Sequence, residues 1–155
     1  MQSWNESEML IDRKSKFQAR CWRIQDQTEI NGLLQKLVLE NKSIRKASHP
    51  HMYAWRTGEW IKDSSNGKNI GTHSSKKTKS LRLVNPIIKN LQQGWDDNGE
   101  AAAGQRLLTL LERANIINVL IIVTRWYGGT PLGSSRFRHI SSSAVQSLKR
   151  AKFLS

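Results

Sequence analysis

Three short stretches of this chain hold residue types whose spacing could do chemistry. The first, TRWYGGTPLG at 124–133, sets two adjacent glycines between an apolar run, INVLIIV, and a basic, serine-rich segment, SSRFRHISSS. Gly128 and Gly129 allow a tight turn without Cβ atoms. Thr130 followed by Pro131 has the pattern of a helix N-cap and a first helical residue. N–H groups at such a helix start hold phosphate or carboxylate, and Arg125, Arg136, Arg138 and His139 lie close by in sequence. Spacing leaves two readings open, an anion cradle and a plain strand-to-helix corner. Neither GxxxxGKS/T nor GxGxxG occurs, so nucleotide hydrolysis and dinucleotide binding lack their physical parts.

The second stretch is WDDNGEAAAG at 95–104. Asp97 and Glu100 have capping-box spacing, in which the aspartate accepts from free N–H groups and the glutamate reaches back to the cap. Their charges also suit the positive end of a helix dipole. The alternative is a divalent-metal or general-base cluster, but three neighbouring acids cannot select a metal without further ligands. The third stretch, HPH at 49–51, would put two imidazoles on one face of a strand. Zinc needs another protein ligand, and only His73 and distant His139 remain. The SSS at 141–143 has no GxSxG around it. An enzyme would need Asp97, Glu100 and His49 to meet in one cleft, and no nucleophile–base–orienter set can be assembled. The residues therefore point to a non-enzymatic protein with no metal and no cofactor.

Stepping outward, these stretches need elements to position them. KFQARCWRI (16–24) predicts a strand. TEINGLLQKLVLE (28–40) places Ile30, Leu33, Leu34, Leu37 and Val38 at helical spacing. HMYAWR (51–56) predicts a strand, with a further short one around EWIK (59–62). Residues 63–79, DSSNGKNIGTHSSKKTK, are polar, basic and rich in Gly and Ser, and read as a mobile insertion. GEAAAGQRLLTLLERAN (99–115) predicts a helix burying Ala103, Leu107, Leu110, Leu111 and Ala114. INVLIIVTR (117–125) predicts a central strand covered on both faces. A last helix is expected from about Pro131 to Ala151, with Phe137, Ile140, Ala144, Leu148 and Ala151 inward. The order predicts an α/β two-layer sandwich.

At 155 residues the chain fits one domain, 1–155. Its single cysteine, Cys21, excludes an internal disulfide and reads as a small buried apolar residue. That usage and the absence of a basic-then-apolar start point to a reducing, intracellular setting, cytoplasmic or nuclear. The net charge is +13, unevenly placed: residues 42–89 carry eleven basic groups against two acidic, and residues 106–155 carry eight against one. Such a field favours an anionic partner such as RNA, a ribosome, anionic lipid or an acidic protein face, and it also favours simple solubility.

Four segments together carry a family resemblance. SKFQAR (15–20), ASHPHMYAWR (47–56), DDNGEAAAG (96–104) and IIVTRWYGGTPLGSSRFRHI (121–140) resemble the signature blocks of the IMPACT family, the last closest to its eukaryotic branch. The resemblance implies a fold like the second domain of ribosomal protein S5. It implies a translation-associated partner or ribosome, with RNA suggested for bacterial members and actin for eukaryotic ones, and no small-molecule cofactor. Eukaryotic members oppose the kinase that phosphorylates initiation factor two during amino-acid starvation. The chain is expected to hold the family domain without the RWD domain of the longer eukaryotic regulators. The implied binding face is Arg125, Gly128, Gly129, Thr130, Arg136, Arg138 and His139, with His49 and Arg56 beside it if the motifs converge.

Overall fold

The structure, a computed structural model, describes residues 2–61 and 87–155. The basic insertion expected at 63–79 lies outside these residues. In chain order the elements are β1 (Asn5–Glu6), β2 (Leu10–Asp12), β3 (Ser15–Arg23), a 3-10 turn (Gln27–Glu29), α1 (Ile30–Glu40), α2 (Lys42–Arg45), β4 (His49–Trp60), β5 (Ile88–Asp96), α3 (Ala103–Arg113), β6 (Val119–Trp126) and α4 (Ser135–Arg150). The strands form one antiparallel sheet in the order β1-β3-β6-β4-β5, with β2 also paired to β3.

β6 owes its unbroken apolar sequence to its place in this order. Val119, Ile121 and Val123 pack with α3 and α4, against Leu107, Leu111, Ile140, Ala144 and Leu148. Leu120 and Ile122 face the other way, into a second cluster with Ile30, Leu37, Ile44 and Trp55. A strand buried on both faces cannot show polar alternation. The expected α/β sandwich is borne out, and α1 with α2 adds cover on the sheet's second face.

Several local expectations change. The two strands expected at 51–56 and 59–62 are one continuous β4, because Thr57 and Gly58 extend the strand instead of turning it. The capping-box spacing is realised at Asp26 and Glu29, where Asp26 Oδ1 accepts from Thr28 N at 2.9 Å and Glu29 Oε2 accepts from Asp26 N at 3.0 Å. The last helix starts at Ser135, not Pro131, and neither Thr130 nor Ser134 caps it through its side chain. Residues 127–134 instead form an irregular loop in which Leu132 is buried and Gly129 and Gly133 take φ of +97° and +61°. In α3 the buried face is Ala103, Leu107, Leu108 and Leu111, so Leu110 is half-buried and Ala114 exposed, a rotation from the expected stripe.

β5 occupies residues for which the sequence predicts no element. It is an edge strand with exposed residues along most of its length, and so lacks the apolar alternation that announces a strand. Gly94 on it is obligatory for packing: a Cβ there would come within 2.7–3.1 Å of the Trp55 indole.

Candidate functional site

The centre of the site is a residue read as a helix cap. Asn98 (φ +51°), Gly99 (φ +87°) and Ala102 (φ +67°) put left-handed kinks into the turn before α3. Asp97 stays at the helix start, accepting from Ala102 N at 3.1 Å and Gly104 N at 2.7 Å. The kinks turn Glu100 away from the cap and toward the end of the central strand β6, where its side chain is 6% exposed. The helix-capping reading is therefore correct for Asp97 and overturned for Glu100.

Two guanidiniums and an imidazole meet the Glu100 carboxylate. Arg125, near the end of β6 and itself 5% exposed, donates through Nη1 to both oxygens at 2.9 Å. Arg136, in the first turn of α4, places Nε 2.7 Å from Oε2 as a close ion pair whose N–H is not aimed at the oxygen. His49 Nε2 lies 3.2 Å from Oε1. The other His49 nitrogen, Nδ1, is 2.9 Å from the Asn98 carbonyl, so both ring nitrogens face acceptors and a neutral ring can donate to only one. Burying one carboxylate with two guanidiniums satisfies charge only if every member stays. The cluster ties β4, the α3 start, β6 and α4 to one point.

A bulge aims His49. The β4–β6 register shifts between His49 and Met52, and Thr124 Oγ1 donates to the Pro50 carbonyl at 2.8 Å across it. His51 then points to the opposite side, beside Leu34 and Val38 of α1, and burial pushes its pKa below the ordinary value. The expectation of two imidazoles on one face fails for this reason. Among the described residues no group of three or more His, Cys, Asp or Glu could hold a metal.

The glycine loop is held from β3. Ser15 Oγ accepts from Gly128 N at 3.0 Å and lies 3.4 Å from Arg125 Nη2. A Cβ on Gly128 would fall 2.2–2.5 Å from the Lys14 and Ser15 backbone, so only glycine allows this approach. Tyr127 N donates to Ser48 Oγ at 2.9 Å, and the Tyr127 ring is 48% exposed with the Arg125 guanidinium 5.4 Å from its centroid. The predicted residues thus separate. Arg125, Arg136, His49 and Gly128 converge; Gly129 and Thr130 lie exposed in the adjoining loop. His139 pairs with Asp12 at 2.7 Å, and Arg13 with His139 holds the Asp12 carboxyl below its ordinary pKa. Arg138 is exposed with no ion pair among the described residues.

Arg56 does not join the site. It pairs with Val119 at the far end of β6, is 6% exposed, and donates to Gln93 Oε1 and to the Ile116 carbonyl. Its role is to anchor the loop after α3. Ser15 is a site residue that sequence reasoning missed, and Glu100 was weighed there only as a cap or as one of an acid cluster. Glu100 stood inside a quoted signature, but its spacing matched a cap and local spacing carries no information about inward rotation.

Similarity to known proteins spans most of the chain. The Impact N-terminal domain model matches residues 13–148. An IMPACT family member of Saccharomyces cerevisiae is 59% identical over 97% of this chain and 93% of its own length. The Protein IMPACT homolog of Schizosaccharomyces pombe is 35% identical, over 94% of this chain but 41% of its own length. A solved structure of the two-domain translational regulator Yih1 aligns with TM-score 0.54 and 30% identity, over 97% of this chain and 48% of that one. The chain thus spans less than half the length of these two longer relatives. The signature blocks, the match over 13–148 and the shared fold lead to one conclusion: this chain belongs to the IMPACT family.

Proposed function

We propose that the protein is a non-enzymatic binding module of translational control. The observation that carries this reading is what the signature residues do: Glu100, Arg125, Arg136 and His49 close on one another. The Glu100 oxygens face Arg125, Arg136 and His49 and the side chain is 6% exposed, so they meet protein groups and not an open cleft. The cluster instead holds the β6–α4 corner rigid, and a rigid corner is what a recognition surface needs. The likeness to a translational regulator supports translational control as the setting. The partner is a translation-associated protein, with actin a separate candidate to test, and the setting is the cytoplasm. The decisive measurement is phosphorylation of initiation factor two during amino-acid starvation, with and without the protein. A change in phosphorylation is expected; identical levels would overturn the pathway assignment.

A second reading, binding of ribosomal or other structured RNA, is favoured by the charge of +13 and by exposed Arg138. It predicts affinity that falls steeply with salt and falls again when exposed Arg138 is reversed in charge. Capture from extract with and without nuclease separates the two readings, because an RNA-borne partner disappears with the nuclease.

A further inference from the structure

The outer groove between α3 and α4 takes no part in the Glu100 cluster. It encloses about 540 Å³; Leu110, Ala114 and Leu154 give it an apolar floor, and Arg106, Arg113 and Ser141 stand around them. The helical period of α3 would bury Leu110 and Ala114 if another layer covered them. Among the described residues none does: Leu110 is half-buried and Ala114 exposed.

We propose that this groove docks an acidic peptide that carries bulky apolar side chains. The proposal names the partner chemistry of the binding module and so rests on that reading. Charge is the first argument. Arg106 and Arg113 are exposed, as are Arg138, one turn from Ser141 on α4, and Lys149 farther along the same helix. None of the four forms an ion pair among the described residues, and Arg106 rests instead on the Phe137 ring, 4.1 Å from its centroid. Helix α4 contains no acidic residue. The single acid of α3, Glu112, turns away to accept from Gln93 Nε2 at 2.8 Å on β5. Among the described residues, α3 and α4 therefore set no side-chain carboxylate beside these cations.

The floor decides between two anionic partners. Nucleobases stack on aromatic faces, whereas Leu110, Ala114 and Leu154 are aliphatic and match Leu, Ile or Met. Arg106 and Arg113 stand seven residues apart, roughly 10 Å along α3. Acidic residues separated by two turns of a partner helix would meet both. Such a helix in an apolar groove is an established recognition geometry.

The test uses the full chain and a fluorescein-labelled synthetic peptide of roughly four helical turns, with leucines on one face and glutamates beside them. Anisotropy is read against the same peptide with glutamine for glutamate, with serine for leucine, and against U-rich single-stranded RNA of equal charge. The acidic, leucine-bearing peptide is expected to bind tightest. Arg113→Glu with Arg138→Glu is expected to weaken it on the order of tenfold or more. Ala114→Trp, which fills the floor without altering charge, should weaken it comparably. These positions are exposed, and circular dichroism verifies that the fold persists. Equal binding of the glutamine peptide, equal binding of the serine peptide, tighter binding of the RNA, or no peptide binding at low salt would each overturn the proposal. A protein that fails here yet still alters initiation-factor phosphorylation retains its module reading and loses only this groove.

Discussion

At the scale of single residues, the family signature serves first to place one buried carboxylate. Removing Glu100 leaves Arg125, 5% exposed, without its counter-charge. Glu100→Leu is expected to cost about 3–5 kcal/mol, the usual size for breaking a buried pair from one side. Urea unfolding should show Glu100→Leu/Arg125→Met recovering part of that loss. If the double variant is as unstable as the sum of the singles, the charges were not compensating one another. The two neighbouring glycines make a second, differential prediction. Gly128→Ala drives a Cβ into the β3 backbone and should cost about 1–3 kcal/mol through overpacking. Gly129→Ala meets open space but must hold φ +97°, which costs on the order of 1–3 kcal/mol as backbone strain alone. Only the first should displace the Ser15–Gly128 hydrogen bond, visible as a shift of the Gly128 amide resonance. The pair of glycines was legible in the sequence; which of them is sterically obligatory depends on Lys14 and Ser15, more than a hundred residues earlier.

At the scale of elements, two acids with one spacing reach different ends. Asp26 and Glu29 close a capping box on their own turn, whereas Asp97 and Glu100 divide, one capping α3 and the other crossing to β6 and α4. Asp97→Ala is expected to cost about 0.5–2 kcal/mol, the range for losing a cap. Its measurement is the unfolding midpoint, and an unchanged midpoint would deny Asp97 that role. On β4, His51 gives a pH prediction. Burial lowers its pKa from the ordinary 6.5, so the unfolded chain takes up a proton before the folded chain does. Stability from this group is intact above about pH 6.5 and falls as pH drops through the lower folded-state value. His51→Gln should flatten this part of the curve, while the Asp12 contribution persists until pH falls below its ordinary 3.8. A slope near pH 6 that survives in His51→Gln belongs to another group. β4's bulge, which separates His49 from His51, has no signature in HPH itself, because strand alternation is the default and a bulge is decided by the partner strand.

At the scale of the whole molecule, the sheet order predicts a gradient of local stability. β6 pairs with β3 on one side and β4 on the other, and both its faces are covered. Its amides from Val119 to Val123 should exchange with solvent only through global unfolding, and those of edge strand β5 orders of magnitude sooner. Equal exchange in β5 and β6 would contradict this topology. The amino-acid sequence by itself determined the α/β class, the central position of β6, the inward stripe of α4 and the burial of Cys21, because each is written in a local apolar period or composition. Its signature blocks also carried the family. The tertiary structure alone decided that Arg125 and Arg136 are held by Glu100, that His139 is held by Asp12, and that Arg56 belongs to the opposite end of the sheet. A basic residue reads alike in sequence whether it faces water or a buried carboxylate. Only the chain's path brings the counter-charge to it, and that path leaves Arg106, Arg113 and Arg138 as the exposed cations around the α3/α4 groove.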